Sequence, residues 1–145
     1  MKVIVQRSLE SSVCVDNTIV GHIDAGMVLL VGFTHQDTEK DMDYMIHKIL
    51  NLRIFDDENG KMNLSILENG GSILSISQFT LYGNVKQGNR PSCVDAMPSN
   101  QASILYQMFN EKLKKHIHVE KGIFGADMKV SICNDGPVTI VLESR

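Results

Sequence analysis

The chain has 145 residues, 43% of them hydrophobic and 21% charged, which suits a single domain (residues 1–145) with its own core and excludes fibrous and disordered classes. Its formal charge of −3 works against approach to a polyanion. The charge is uneven, however: residues 37–68 hold eight acidic and four basic residues, and residues 86–145 hold eight basic and six acidic, so any RNA footprint is expected on the second half.

In chain order, residues 2–7 read as a strand, and residues 13–15 and 18–23 read as a hairpin about Asp16-Asn17, residue types that tolerate tight-turn geometry. The apolar run 26–33 reads as a buried strand. A helix follows, because Met42, Met45, Ile46, Ile49 and Leu50 recur at helical spacing after a Thr38–Asp41 capping signal. Residues 56–60 form a turn cluster, and Asn69-Gly70-Gly71 breaks the chain before a strand over residues 72–82. A polar loop with Gly83, Gly88 and Pro91 leads to a second helix from Ser99, with Ile104, Leu105, Met108, Phe109 and Leu113 on its apolar side. Strands over 127–133 and 138–142, joined as a hairpin by Asn134-Asp135-Gly136-Pro137, close the chain. About seven strands grouped at both ends and two long helices predict an α+β fold with a mixed or largely antiparallel sheet.

Three cysteines without a CxxC pair suggest neither a disulfide framework nor a zinc site, and with no apolar leader or ~18-residue apolar span they point to a cytoplasmic protein. Phosphate-loop, dinucleotide-binding, zinc-protease and nucleophile-elbow motifs are all missing. His116 and His118 would share a strand face but lack a third ligand, so no metal or other cofactor is expected.

The stretch Ser75-Ile76-Ser77-Gln78-Phe79-Thr80-Leu81 places polar residues on both faces of a strand. Either the hydroxyls bond neighbouring backbone, or the strand ends or bulges near Gln78 and the segment serves a site. Asn134 to Thr139 has turn chemistry, and within it Gly136-Pro137 offers carbonyl oxygens and bare backbone. Arg7 shares a face with Val3 and Val5, so either the strand frays at Ser8 or the guanidinium finds buried partners. Lys86 and Arg90 either meet phosphates or are solvated loop charges.

Taken together, SQFTL at 77–81, NDGPVT at 134–139, ILNLRIFDDENGKMN at 49–63, RPS at 90–92 and FGADMKVS at 124–131 resemble the D-aminoacyl-tRNA deacylases across nearly the whole chain. The resemblance implies a homodimer of compact subunits with each active site at the interface, acting on the charged 3′ end of tRNA. It implies a cis Gly136-Pro137 bond inserted into the partner's pocket, where its carbonyls hold the substrate's α-amino group and crowd out an L side chain. Arg7 then braces that motif, Met128 and Asn134 join in substrate selection, and Ser77, Gln78, Phe79 and Thr80 form the catalytic stretch. A backbone wall selects configuration by exclusion, so many D-amino acids, and glycine, are expected to be accepted. Thr80 is either a nucleophile or, as we favour, one of a group that positions the ester while backbone N–H groups hold the oxyanion and the terminal 2′-OH assists. Cys93 departs from the aromatic residue relatives often carry after RPS. The competing expectations are a non-catalytic tRNA-binding relative and a hydrolase of small D-amino acid esters.

Overall fold

The computed structural model describes residues 1–145. The first strand, β1 (Lys2–Ser8), alternates half-buried and buried residues, and Val3, Val5 and Arg7 face inward. β2 (Ser11–Val15) and β3 (Thr18–Ile23) form the expected hairpin, whose turn residues Asp16 and Asn17 take φ of 48° and 61°. β4 (Gly26–Gly32) is buried almost throughout because it has a neighbour on each edge and a layer on each face. α1 (Glu39–Asn51) buries all five residues of its expected stripe, and the Asp41 carboxylate accepts the Thr38 N–H at 2.9 Å.

β5 (Phe55–Asp56), β6 (Met62–Leu64) and the short α2 (Ile66–Asn69) lead to β7 (Ser72–Ser77). A 3-10 turn (Phe79–Tyr82), α3 (Ser99–Lys114), β8 (Val119–Lys121), β9 (Lys129–Ser131) and β10 (Asn134–Glu143) complete the chain. The main sheet runs β10-β1-β4-β7-β8, antiparallel from β10 to β4 and parallel from β4 to β8, so it is mixed as expected. One face packs on α1 and α3 around Val3, Leu29, Met45, Ile73 and Phe109. The other is partly covered by the small sheet β3-β2-β9 through Val13, Ile23, Val28, Leu74 and Ile76. The result is one compact α+β unit. None of its helices is long and apolar enough to cross a membrane.

Four expectations need correction. The strand over 72–82 stops at Ser77, where the chain must turn to meet the end of β4. The closing hairpin does not exist: β9 pairs with β2 and β10 with β1, so Asn134 to Pro137 begins a strand of the main sheet instead of reversing the chain. In α3 Phe109 and Leu113 are buried and Leu105 and Met108 pack partly against the core as expected, but Ile104 is 61% exposed, and Ala102, Tyr106 and Asn110 complete the buried face. There are ten strands, because several two- and three-residue pairings are too short to leave a periodic pattern.

Candidate active site

β4 and β7 run parallel and end side by side, the place where an open sheet presents a crevice. A cavity of about 580 Å³ lies there, lined mostly by apolar residues. Its floor is Val31 and Ile76 to Phe79, and its walls include Met97, Ala102, Phe124 and Met128. Ser77, Gln78, Phe79 and Met128 thus line one cavity. Thr80 does not line the cavity and is exposed.

Local geometry explains the placement. Gln78 leaves the strand conformation at φ −146° and ψ 85°, and its N–H makes the last ladder bond, 2.8 Å to Val31 O. The first bond of the 3-10 turn runs from Leu81 N to Gln78 O, at 3.4 Å. The N–H groups of Phe79 and Thr80 therefore have no acceptor within the turn. The turn can approach β4 only because residue 32 is glycine: a Cβ there would sit 2.9 Å from Gln78 O and 3.2 Å from Leu81 Cβ. The Thr80 hydroxyl accepts a hydrogen bond from the Gln78 carboxamide. That amide is its hydrogen-bond partner within the chain, and no His, Lys or carboxylate of the same chain bonds to it.

The second constellation lies at the other end of the sheet. On β1, Gln6 pairs with Thr139 and Ser8 with Asn134, so one residue, Arg7, faces four on β10. Residues 135–138 are extruded from the sheet edge, with Gly136 and Pro137 exposed and the bond between them cis. Arg7, 9% exposed, braces this projection. Its Nε donates to Asp135 O at 3.1 Å, its NH1 donates to Ile54 O at 2.9 Å, and the Asp56 and Asp135 carboxylates lie 3.3 Å from the guanidinium. Of the two readings for Arg7, buried partners hold and fraying does not. Asn134 closes the projection from inside, its Oδ1 accepting from Val138 N at 3.0 Å and its Nδ2 donating to Thr139 Oγ1 at 2.8 Å. Gly136 has φ +128°, and a Cβ on it would meet Val138 and come within 3.2 Å of Arg7 NH2.

The structure does not bring the two constellations together within one chain. From the strand registers, Pro137 and Ser77 are separated by three strand spacings across the sheet and about five residues along it, on the order of 20 Å.

Lys86 and Arg90 are exposed and unpaired in a loop pinned at its base by the Asn84–Ser92 bridge, next to Cys93 on the cavity wall. His116 and His118 lie in the turn between α3 and β8 and share no strand face, and His118 Nε2 sits 3.2 Å from a Glu120 carboxylate oxygen. Sequence reasoning missed Gly32, Phe124, Gln6 and Asp56. Gln6 donates to Thr139 Oγ1 at 3.2 Å and Asp56 neutralises Arg7, but both contacts join residues far apart in the chain and leave no local signal. Gly32 alone had one, a glycine ending an apolar strand.

Comparison with known proteins is consistent across sequence and fold. A family model described as D-Tyr-tRNA(Tyr) deacylase matches residues 4–143. D-aminoacyl-tRNA deacylases of Bacillus mycoides (strain KBAB4) and Bacillus thuringiensis (strain Al Hakam) are each 57% identical over the full length of both chains. Among solved structures, a c-Myc DNA unwinding element binding protein is 44% identical with a TM-score of 0.95, covering 100% of this chain and 99% of its own. A probable eukaryotic D-amino acid tRNA deacylase, 17% identical, shares the fold at a TM-score of 0.84 over 97% of each chain. With nearly every residue matched by the family model and full-length relatives at this identity, the chain belongs to the D-aminoacyl-tRNA deacylase family.

Proposed function

We propose that this chain is an aminoacyl-tRNA editing esterase that hydrolyses D-aminoacyl-tRNA, and mischarged glycyl-tRNA, to free amino acid and tRNA in the cytoplasm. It works as a homodimer in which the Gly136-Pro137 projection of each subunit completes the cavity of the other. The observation that carries this reading is the separation of about 20 Å between the projection and the cavity end of the sheet. A selective element that far from its own cavity has a use only in another copy. The sheet face beside the projection carries Ile4, Leu30 and the 58% exposed Val141 in one cross-strand row, an apolar strip suited to a two-fold contact.

In this mechanism the carbonyls of Gly136 and Pro137 accept hydrogen bonds from the substrate's α-ammonium, and the backbone they belong to fills the space an L side chain would need. A D side chain, or the hydrogen of glycine, meets no wall. The ester carbonyl then lies over the 3-10 turn, where the Phe79 and Thr80 N–H groups are free to stabilise the oxyanion as it forms. With no base beside Thr80, the 2′-OH of the terminal adenosine assists attack by water. The carbonyl carbon gains the water oxygen, the C–O bond to the ribose breaks, and the ribose oxygen takes up the proton. Lys86 and Arg90 meet backbone phosphates near the acceptor end.

The deciding assay is release of amino acid from D-Tyr-tRNA and L-Tyr-tRNA by the purified protein. Release from the D form alone is expected. No release from either would leave a non-catalytic relative, and equal turnover of a free D-tyrosine ester and D-Tyr-tRNA would leave a small-ester hydrolase.

A further inference from the structure

The buried stripe of α3 holds two polar side chains, Tyr106 at 3% exposure and Asn110 at 0%, in an otherwise apolar contact. The Tyr106 hydroxyl donates to Ser75 O at 2.8 Å and accepts from Ser75 Oγ at 3.4 Å. The same carbonyl accepts the Gly122 N–H at 3.1 Å. Ser75 lies three residues before Gln78, and Gly122 opens the segment that supplies Phe124 and Met128 to the cavity wall. The Tyr106 ring also packs against Phe124, centroids 5.8 Å apart and tilted by 43°, and Ala102, one helical turn earlier, lines the cavity. One hydroxyl thus links three cavity walls without reaching the cavity itself. Burial pushes the Tyr106 phenol up, so it is a protonated donor at neutral pH. A phenylalanine would fill the same space without the desolvation of a buried hydroxyl.

Resting on the esterase reading above, we infer that Tyr106 is a positioning residue for the reaction: by holding the Ser75 carbonyl it fixes where β7 ends and hence where the Phe79 and Thr80 N–H groups point. Ser75 Oγ, which bonds only to the phenol, has no such part. The two variants therefore separate positioning from general core stability: both lose the bond between Ser75 Oγ and the phenol, but only Tyr106→Phe also removes the phenol's bond to the Ser75 carbonyl, leaving the Gly122 N–H on it.

The test compares Tyr106→Phe and Ser75→Ala with the parent in steady-state hydrolysis of D-Tyr-tRNA and in amide hydrogen exchange. For Tyr106→Phe, kcat is expected to fall roughly tenfold or more with KM within about twofold, as for a small displacement of a reacting group's neighbours. The Gln78 and Gly122 amides should exchange faster, while those of Val3 and Val5 do not. Ser75→Ala should leave kcat and both exchange rates within about twofold of the parent. Equal losses in the two variants, or parental kcat and exchange in Tyr106→Phe, would overturn the inference. If the parent itself releases no amino acid, the esterase reading fails, and the exchange rates at Gln78 and Gly122 still decide whether Tyr106 holds the end of β7.

Discussion

The two ends of the main sheet are built on opposite plans. At the cavity end the segment Ser77 to Thr80 is held by backbone: a ladder bond from Gln78 to Val31, a glycine that admits the turn, and a hydroxyl bonded to Ser75 O from behind. At the other end a four-residue projection leaves the sheet edge and depends on one buried guanidinium and one carboxamide for its shape. The first arrangement suits chemistry that needs fixed donors. The second suits recognition of another molecule, and in the proposed homodimer that molecule is held in the cavity of the partner subunit.

Substitutions should separate these two plans. The largest effect is expected at the projection. Gly136→Ala places a Cβ 2.8 Å from Val138 Cγ2 at a φ of +128°, so single-turnover release of D-tyrosine should fall by about two orders of magnitude with a loss of roughly 1–3 kcal/mol in stability. Next comes Gly32→Ala at the cavity end, where the new methyl pushes Gln78 O away. There kcat should fall roughly 10- to 100-fold with the D-over-L preference intact, a combination that marks damage to chemistry and not to selection. Replacing both Lys86 and Arg90 by alanine should weaken tRNA binding and lower the slope of log affinity against log salt by about one per charge, without changing the D/L ratio. The smallest effect is expected for Thr80→Ala, which should keep kcat within about threefold because the hydroxyl has no base beside it. Activity at background with tRNA binding intact would instead make Thr80 the nucleophile.

How much of this was legible in the sequence depended on how local the cause was. α1, the β2–β3 hairpin and β4 follow from periodicity, capping and turn chemistry within a dozen residues, and they stand as read. The end of β7 was half legible: polar residues on both faces signalled a break near Gln78, but only the position of β4 determines that the chain turns there. Asn134 to Pro137 misled because the residues that reverse a chain are also those that let it bulge, and the choice is made by β1, more than a hundred residues away. The partners of Arg7, Ile54, Asp56 and Asp135, lie 47, 49 and 128 residues away, so no local pattern chose between burial and fraying. The α3 stripe was legible at Phe109 and Leu113 but not at its edge, where tertiary contact turns Ala102, Tyr106 and Asn110 inward and Ile104 outward.

The central claim, that the cavity of one subunit is completed by the projection of another, has a direct test in complementation. Gly136→Ala chains, with a sound cavity, and Gly32→Ala chains, with a sound projection, are denatured together in equal amounts, refolded, and assayed with D-Tyr-tRNA. Random pairing makes half the dimers mixed, each with one intact site, so activity should recover to about one quarter of the parent's. Activity no higher than the average of the two variants refolded separately would mean that each chain uses its own projection, or none, and would contradict the account.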